Sequence, residues 1–575
     1  MDFRELSNYF AQLEETASRN QITEILAKLL MVASIDEVDK ICYLSLGQLL
    51  PAYKGLEFNL AERMMIKVLA KAFKIEPKEI LAMFKKGGDL GQIAQDLKEK
   101  QKVGFKNFSV TDVYQKLYQV AVEEGSGSVE RKVDQIAKLL SQVDPLSAKY
   151  LVRIPISKLR LGFSELTILD ALSWLLEKDK SQRKVIEAAF NIQADVGLIA
   201  QIIKKKGIKG LKTLKIKLGI PIILALCQRL PNTEEMIKKM GQVAIEPKYD
   251  GTRLQIHWQK GKTFIFTRNL ENVTGMFPDL VKALDKQIKA KSLIFDGEAI
   301  GFNPQTGKLL PFQETIKRKR KYEIEAKSKE IPLKYFVFDL LCKDGIDLLG
   351  KPLSERRKLL AKLVPMADKD RLKTQTIILS PQIITKDPKE LRRYHDQQIK
   401  EGLEGIVAKK WQSVYDPGRR GYTWVKLKQE KGKKGGGLAD TLDCVVMGYY
   451  RGKGRRASFG IGGFLVGLRN NQSVVTVSKV GTGLSDNQWR EMRKRADQVA
   501  TLSIPKVYRI NKNLLPDILC LPKIIVEIEA DNVTKSSIHT AGLALRFPRL
   551  IRFRDDKSFN QATTIEETQK LYDLQ

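Results

Sequence analysis

From residue 1 to about 215 the apolar positions recur three and four apart. Ile22, Ile25, Leu26, Leu29 and Leu30 fall on one stripe of a helix, and the stretch from Val129 to Leu140 repeats the arrangement. Lys204-Lys205-Lys206-Gly207-Ile208-Lys209-Gly210 is basic and broken by glycine, which marks the end of this helical region. Near residue 240 the period changes to two. Leu254, Ile256 and Trp258 alternate with Gln255, His257 and Gln259, Lys260-Gly261-Lys262 turns, and alternation resumes from Thr263 to Thr267. This predicts a β-hairpin. Further strands are expected at 292–300, 334–341, 405–410 and 421–428, with helices near 278–290 and 354–364, so the middle of the chain reads as α+β.

Residues 429–437 are polar and end in Gly435-Gly436-Gly437, the composition of a linker. Beyond them short glycine-containing strands are expected at 442–450, 463–468, 474–480 and 524–530, a β-barrel or sandwich. The pattern predicts three domains: helical over 1–215, α+β over 216–432 and β over 433–575. The joints near 215 and 430 are the expected hinges.

Composition sharpens this outline. The 575 residues hold 43% hydrophobic and 29% charged side chains, so the chain can build cores and is not mainly disordered. Lys and Arg exceed Asp and Glu by 33, which calls for a polyanionic partner such as nucleic acid. Five scattered cysteines contain no CxxC and only three histidines occur, which excludes zinc fingers and His-rich metal sites. Such cysteines fit buried thiols in a reducing compartment. Met1-Asp2-Phe3-Arg4-Glu5 does not open a signal peptide, and the longest apolar run, near 219–227, contains Pro221 and is too short to span a bilayer. An intracellular, cytoplasmic, nucleoid-associated monomer with no membrane contact is expected.

The chemistry gathers around Glu246-Pro247-Lys248-Tyr249-Asp250-Gly251-Thr252-Arg253. Taken alone, Lys-x-Asp-Gly suits a solvated surface turn as well as a reactive lysine. The hairpin adds geometry: with the turn at Lys260-Gly261, Arg253 falls opposite Arg268 at the open end, beside Lys248. Two guanidiniums and an amine in one place make a phosphate site. Phe295-Asp296-Gly297-Glu298 and Glu401-Gly402-Leu403-Glu404-Gly405 supply carboxylates, and carboxylates among phosphates imply Mg²⁺. On a strand through 422–428, Trp424, Lys426 and Lys428 share one face and Val425 and Leu427 the other.

In order along the chain stand Lys248-Tyr249-Asp250-Gly251-Thr252-Arg253, Thr267-Arg268-Asn269, Phe295-Asp296-Gly297-Glu298, Tyr335-Phe336-Val337-Phe338-Asp339, Glu401-Gly402-Leu403-Glu404-Gly405-Ile406-Val407 and Trp424-Val425-Lys426-Leu427-Lys428. Leu545-Arg546-Phe547-Pro548-Arg549 closes the series. Pro311-Phe312-Gln313-Glu314, the basic run from Lys317 to Lys321, Tyr150-Leu151-Val152-Arg153-Ile154 and Leu159-Arg160-Leu161-Gly162 accompany it. The ordered set resembles the ATP-dependent DNA ligases of the archaeal and eukaryotic replicative type over nearly the whole chain.

The resemblance implies a fold: an all-helical DNA-binding domain, an α+β nucleotidyltransferase domain and a C-terminal OB-fold barrel. It also implies an activity, the sealing of 5′-phosphate/3′-hydroxyl nicks in duplex DNA during replication, repair and recombination. ATP and Mg²⁺, with Mn²⁺ as an alternative, would be the cofactors. Lys248 would carry AMP as a phosphoramidate, and its amine would need a lowered pKa. Phe338 would stack on adenine and Glu246 would read the base edge. Arg253 and Glu298 would hold the ribose side, and Arg268 and Arg420 the phosphates. Glu298 and Glu404 would bind metal, and Lys426 and Lys428 would stabilise the α-phosphate. Arg546 and Arg549 would meet pyrophosphate when the last domain closes. From the positive charge carried by the helical region, Arg153, Arg160 and the lysines at 204–206 are expected to contact DNA. Gln101-Lys102-Val103-Gly104-Phe105 lies where many relatives carry a sliding-clamp peptide and matches it poorly. An NAD-dependent ligase would bring a four-cysteine zinc site, which the sequence lacks. Capping enzymes and RNA ligases would lack this helical region.

Overall fold

A computed structural model describes residues 1–575 except 102–103, 320–322, 419, 429–437, 439, 453–455, 457–458 and 575. The expected linker at 429–437 therefore lies outside the described residues, as does part of the candidate clamp segment and of the basic run.

The first region is helical throughout its described residues, from Phe3–Glu15 to Val196–Leu211. Phe3, Leu6, Phe10 and Leu13 bury one stripe of the first helix. The two periodic segments become the helices Arg19–Val32 and Ser128–Gln142. Side-chain caps mark many starts: Ser109 and Asp112 form a capping box, and Asp144 caps a helix that opens on Pro145. Gly207 has φ 60° and ψ −164° and breaks the helix Val196–Leu211 within the basic stretch that the sequence marks.

The middle region holds two sheets. A five-stranded sheet runs in the order Leu226–Arg229, Arg420–Lys428, Gly405–Lys410, Val243–Pro247, Ile383–Thr385. A seven-stranded sheet is built on Lys262–Thr267, Thr252–Gln259, Ser292–Asn303 and Leu333–Lys343. The hairpin register is the expected one, with Leu254 opposite Thr267 and Gln259 opposite Lys262. Its polar face, however, does not meet water. Gln255 and His257 are buried beneath the segment that enters this region. Gln255 accepts from the Ile222 N–H at 2.8 Å, and His257 Nδ1 accepts from Gly219 N–H at 3.2 Å.

That bonding changes the picture of the joint near 215. Gln193 donates to the Lys215 carbonyl, Ala194 N–H to Pro221, and Ile223 N–H to Asn191. The segment is tied to the helices on one side and to the hairpin on the other.

The last region is β-rich, with strands at Leu442–Tyr450, Gly463–Asn470, Ser473–Val480 and Ile525–Glu529 close to the expected positions. Strand Leu442–Tyr450 is central, pairing with Gly463–Asn470, Ile518–Cys520 and Ile525–Glu529. Two helices, Asp486–Gln498 and Ile565–Asp573, were not expected. Among the described residues no helix is long and apolar enough to cross a membrane. All five cysteines are free thiols, four of them buried and Cys227 half-buried.

Candidate active site

The segment from Lys248 to Gly251 crosses from one sheet to the other. It leaves strand Val243–Pro247 of the five-stranded sheet and enters strand Thr252–Gln259 of the seven-stranded sheet. The crossing is tight. A Cβ on Gly251 would lie 2.5 Å from the Ala299 carbonyl oxygen and 2.7 Å from the Ile300 side chain, so only glycine fits. The Lys248 N–H donates to the Gly405 carbonyl at 2.9 Å, and the Glu404 N–H donates to the Lys248 carbonyl at 3.2 Å. Gly405 has φ 132°, a backbone that L side chains rarely adopt, and its Cα faces the Leu427 carbonyl. These two glycines set Lys248 beside Glu404.

A cavity of about 880 Å³ opens between the sheets and under the C-terminal domain. Lys248, Glu246, Arg253, Arg268, Glu298, Phe338, Glu404, Lys426, Lys428, Arg546 and Arg549 all line it. Arg420 opens the strand that carries the two lysines, but its side chain lies outside the described residues.

One end of the cavity is aromatic. Phe338 and Trp424 meet edge to face at 5.9 Å, and Trp424 meets Tyr415 likewise at 5.7 Å. The buried Lys409 ammonium sits 4.3 Å from both the Phe338 and Trp424 ring centres and donates to Glu246 Oε2 at 2.8 Å. Burial pushes the Glu246 carboxyl up against the opposing pull of Lys409 and Arg357. Its other oxygen, Oε1, is buried without a hydrogen bond and faces the Arg357 guanidinium at 4.0 Å. A buried acceptor without a hydrogen bond is costly until a donor completes it.

The other end is ionic. Lys248 Nζ pairs with Glu404, which also faces Lys428 at 3.5 Å and Arg546 at 3.7 Å. Burial opposes ionisation of Glu404, but Lys248, Lys428 and Arg546 outweigh it and hold the carboxyl at about 2. Burial lowers the Lys426 ammonium, and the like charges of Lys248 and Lys428 lower it further. Glu298 lies deep between the sheets, where burial pushes it up to about 8 despite Lys248 and Arg253 nearby. Arg546 from the C-terminal domain grips Asp250 through two bonds of 2.8 and 3.0 Å. Arg549 pairs with Asp531 at 2.5 Å, which Lys428 approaches at 3.6 Å.

Several expectations change. In this structure the Lys248 amine is engaged by the Glu404 carboxylate. Arg253 lines the cavity, but it is a supporting cation as well. Its guanidinium makes two bonds to the buried Asp296, at 2.7 and 3.0 Å, and a third to the Ala225 carbonyl. Arg153 does not offer itself to DNA. It is 1% exposed and bound to Glu14 and Asp89, because a guanidinium buried in a helical core needs carboxylates around it. Arg160 is part-buried and bound to Asp89 and the Gly88 carbonyl. Arg318, in the basic run, is also buried, against Asp279. Lys205 and Lys206 do remain exposed. Among the described residues no group of three or more His, Cys, Asp or Glu side chains gathers to hold a metal.

Sequence reasoning missed Lys409 and Asp531 as members of the site, and it quoted Asp250 and Asp296 within motifs without giving them partners. A signal existed for Lys409: alternation from Val407 places it on the cavity face of strand Gly405–Lys410. Nothing in the sequence pairs Asp531 with Arg549 or Asp250 with Arg546.

Comparison with known proteins follows the same three-part division. Residues 2–173 match the family described as DNA ligase N terminus, residues 224–428 the ATP dependent DNA ligase domain, and residues 457–557 the ATP dependent DNA ligase C terminal region. A probable DNA ligase of Dictyoglomus turgidum is 41% identical over 582 residues, covering 100% of this chain and 97% of that protein. A DNA ligase of Saccharolobus solfataricus is 38% identical over 600 residues, covering 100% and 98%. The solved structure Pmar-Lig_PreS3 shares the fold at a TM-score of 0.56 and 19% identity, covering 96% of this chain and 99% of that one.

Proposed function

The chain belongs to the ATP-dependent DNA ligase family, and from that premise we propose that Lys248 is its AMP-accepting residue in the ATP-driven joining of nicked duplex DNA. The observation that carries the reading is the polarity of the cavity. A buried acceptor that lacks a hydrogen bond and an aromatic wall stand at one end, and an amine ringed by cations stands at the other. An adenine amino group completes Glu246 Oε1, with Phe338 as the stacking surface. The phosphates then extend toward Lys248, Lys426, Lys428, Arg268 and Arg546.

In the first step Lys248 Nζ attacks the α-phosphate, a nitrogen–phosphorus bond forms and pyrophosphate leaves. The amine attacks in its neutral form, its proton given up to water. Glu404, held ionised by the cations around it, is the counter-ion that holds Nζ in place. Lys426 and Lys428 stabilise charge on the phosphoryl group in flight. AMP passes next to the 5′-phosphate of the nick, and the 3′-hydroxyl displaces it.

Glu298 and Glu404 would hold Mg²⁺ or Mn²⁺ together with the phosphates. Burial pushes the Glu298 carboxyl up to about 8 although Lys248 and Arg253 stand nearby, and a bound divalent cation would favour its ionised form. The metal would neutralise phosphate charge. The domain limits 1–215, 216–432 and 433–575, a monomeric state and a place of action inside the cell, with the DNA, belong to the same reading. Gln101 and Phe105 offer too little for a clamp partner to be proposed.

The test is covalent labelling. With α-labelled ATP, NAD and GTP offered separately, ATP alone should label the protein, and Lys248→Ala should abolish the label while nick binding persists. Label of parental intensity mapping to another lysine would refute the assignment.

A further inference from the structure

Among the described residues the C-terminal domain touches both of the other domains. Besides gripping Asp250, it reaches the helical domain through Arg451. The Arg451 guanidinium lies on the C-terminal end of the helix Pro77–Gly87 and donates to the Gly87 carbonyl at 3.4 Å. The next residue, Gly88, has φ 68° and caps the helix with its N–H on the Phe84 carbonyl. A Cβ on Gly88 would overlap the guanidinium of Arg451. Gly88 thus suits the left-handed turn, and its bare Cα leaves room for an arginine from another domain. A helix end presents unpaired carbonyls and partial negative charge, and a cation suits it.

The seat is shared. Arg160 donates to the Gly88 carbonyl at 2.7 Å and pairs with Asp89 at 3.1 Å. Asp89 also caps the next helix and pairs with the buried Arg153. Two guanidiniums therefore crowd one helix end, and burial together with Arg153 and Arg451 weakens the hold of Arg160 on its proton against the pull of Asp89. On the C-terminal domain's side, the Arg451 N–H is fixed by Asp517 at 2.7 Å, so the backbone that carries the guanidinium is anchored. Beside the contact lies a cavity of about 1000 Å³ between the two domains, lined by Glu62, Lys158, Arg456, Lys479 and Trp489. The domains meet here across open space rather than through a packed core, so a single seated side chain carries weight.

We propose that Arg451 is a latch: seated on Gly87 and Gly88, it holds the C-terminal domain against the helical domain and sets the fraction of molecules closed for self-adenylation. The inference rests on the reading that closure of this domain serves the adenylation step.

Spin labels at Ser126→Cys and Ser503→Cys, both exposed positions, report the distance between the two domains in the full chain. Arg451→Ala removes the cation. Gly88→Asn keeps a residue that tolerates the left-handed turn and fills the seat. Each should raise the ratio of open to closed molecules about five- to tenfold, the worth of one hydrogen bond and one helix-end charge. The double variant should open no further than either single one, because one contact is lost only once. Single-turnover labelling by ATP should slow as the closed fraction falls. Distances that match the parent in Arg451→Ala, or effects of the two substitutions that add, would overturn the latch. Distances that shift while labelling keeps its rate would leave the latch standing and overturn instead the link between closure and adenylation.

Discussion

Lys248 and Glu404 lie 156 residues apart in the chain and meet as an ion pair. Each is visible in the sequence as a charged residue in a recognisable setting, but neither reveals the other. The same holds for Arg253, whose partner Asp296 stands two residues before the carboxylate expected to matter. His257 shows the opposite situation, a titratable group whose environment the sequence misrepresents. Alternation places it on the polar face of a strand, yet burial lowers its pKa to about 3. Its folded pKa lies below the unfolded value near 6.5, so the unfolded chain takes up the proton first. Stability should therefore fall as pH drops below about 6.5 and keep falling toward about 3, by at most about 1.4 kcal/mol per pH unit from this residue. His257→Gln cannot titrate and should show a shallower slope. Urea unfolding between pH 7 and pH 4 checks this, and equal slopes in parent and variant count against it.

Elements with a strong period were legible. Gly405–Lys410 occupies its expected limits, and the hairpin has its expected register. The strand Leu226–Arg229 was not legible, because only its parallel pairing with Arg420–Lys428 makes it a strand. The helix Asp486–Gln498 did leave a signal, with Trp489, Met492 and Ala496 at helical spacing behind a Ser485 capping box. Its many charges masked that stripe. At this scale the crossing from Lys248 to Gly251 is the element that makes chemistry, and its tightness is testable. In Gly251→Ala the new methyl group must displace the Ala299 carbonyl or the Ile300 side chain. Overpacking of this kind costs about 1–3 kcal/mol. The shift also carries Lys248 away from its phosphate, so AMP labelling should slow by roughly tenfold or more. Thermal melting and single-turnover labelling measure the two effects. A variant with the parental rate would show that the crossing tolerates movement.

The whole molecule adds what no domain holds alone. Arg546 reaches the nucleotide cavity only because the C-terminal domain lies over it, pairing with Asp250 across the interface. If the pairing serves pyrophosphate departure, Arg546→Ala should slow self-adenylation by about 10²-fold, as loss of a charge-stabilising donor does. Sealing of a chemically pre-adenylated nick should survive. Single-turnover rates for the two steps decide it, and normal adenylation with failed sealing would assign Arg546 to DNA instead. The surplus of 33 positive charges belongs to this scale too. Binding to nicked duplex should weaken linearly in log salt, with a slope near −5 for about six phosphate contacts, and without preference for base sequence. Titrations at several salt concentrations test this; a flat response would contradict a phosphate-led grip. Arg153 will not contribute, since it is locked inside the helical core.

The sequence by itself determined the three-part order, the period of each part, the lysine at a strand-to-strand turn and the set of charges that surrounds it. Those features are local: hydrophobic period, turn chemistry and side-chain type act within a few residues of one another. Only the tertiary structure decided which charges answer each other. It spent Arg153 on Glu14 and Asp89, put Glu404 against Lys248, left one oxygen of Glu246 open, tied the segment near 215 to both of its neighbours and seated Arg451 on Gly88. Coulombic attraction and desolvation depend on distance and burial in space, and neither is written along the chain.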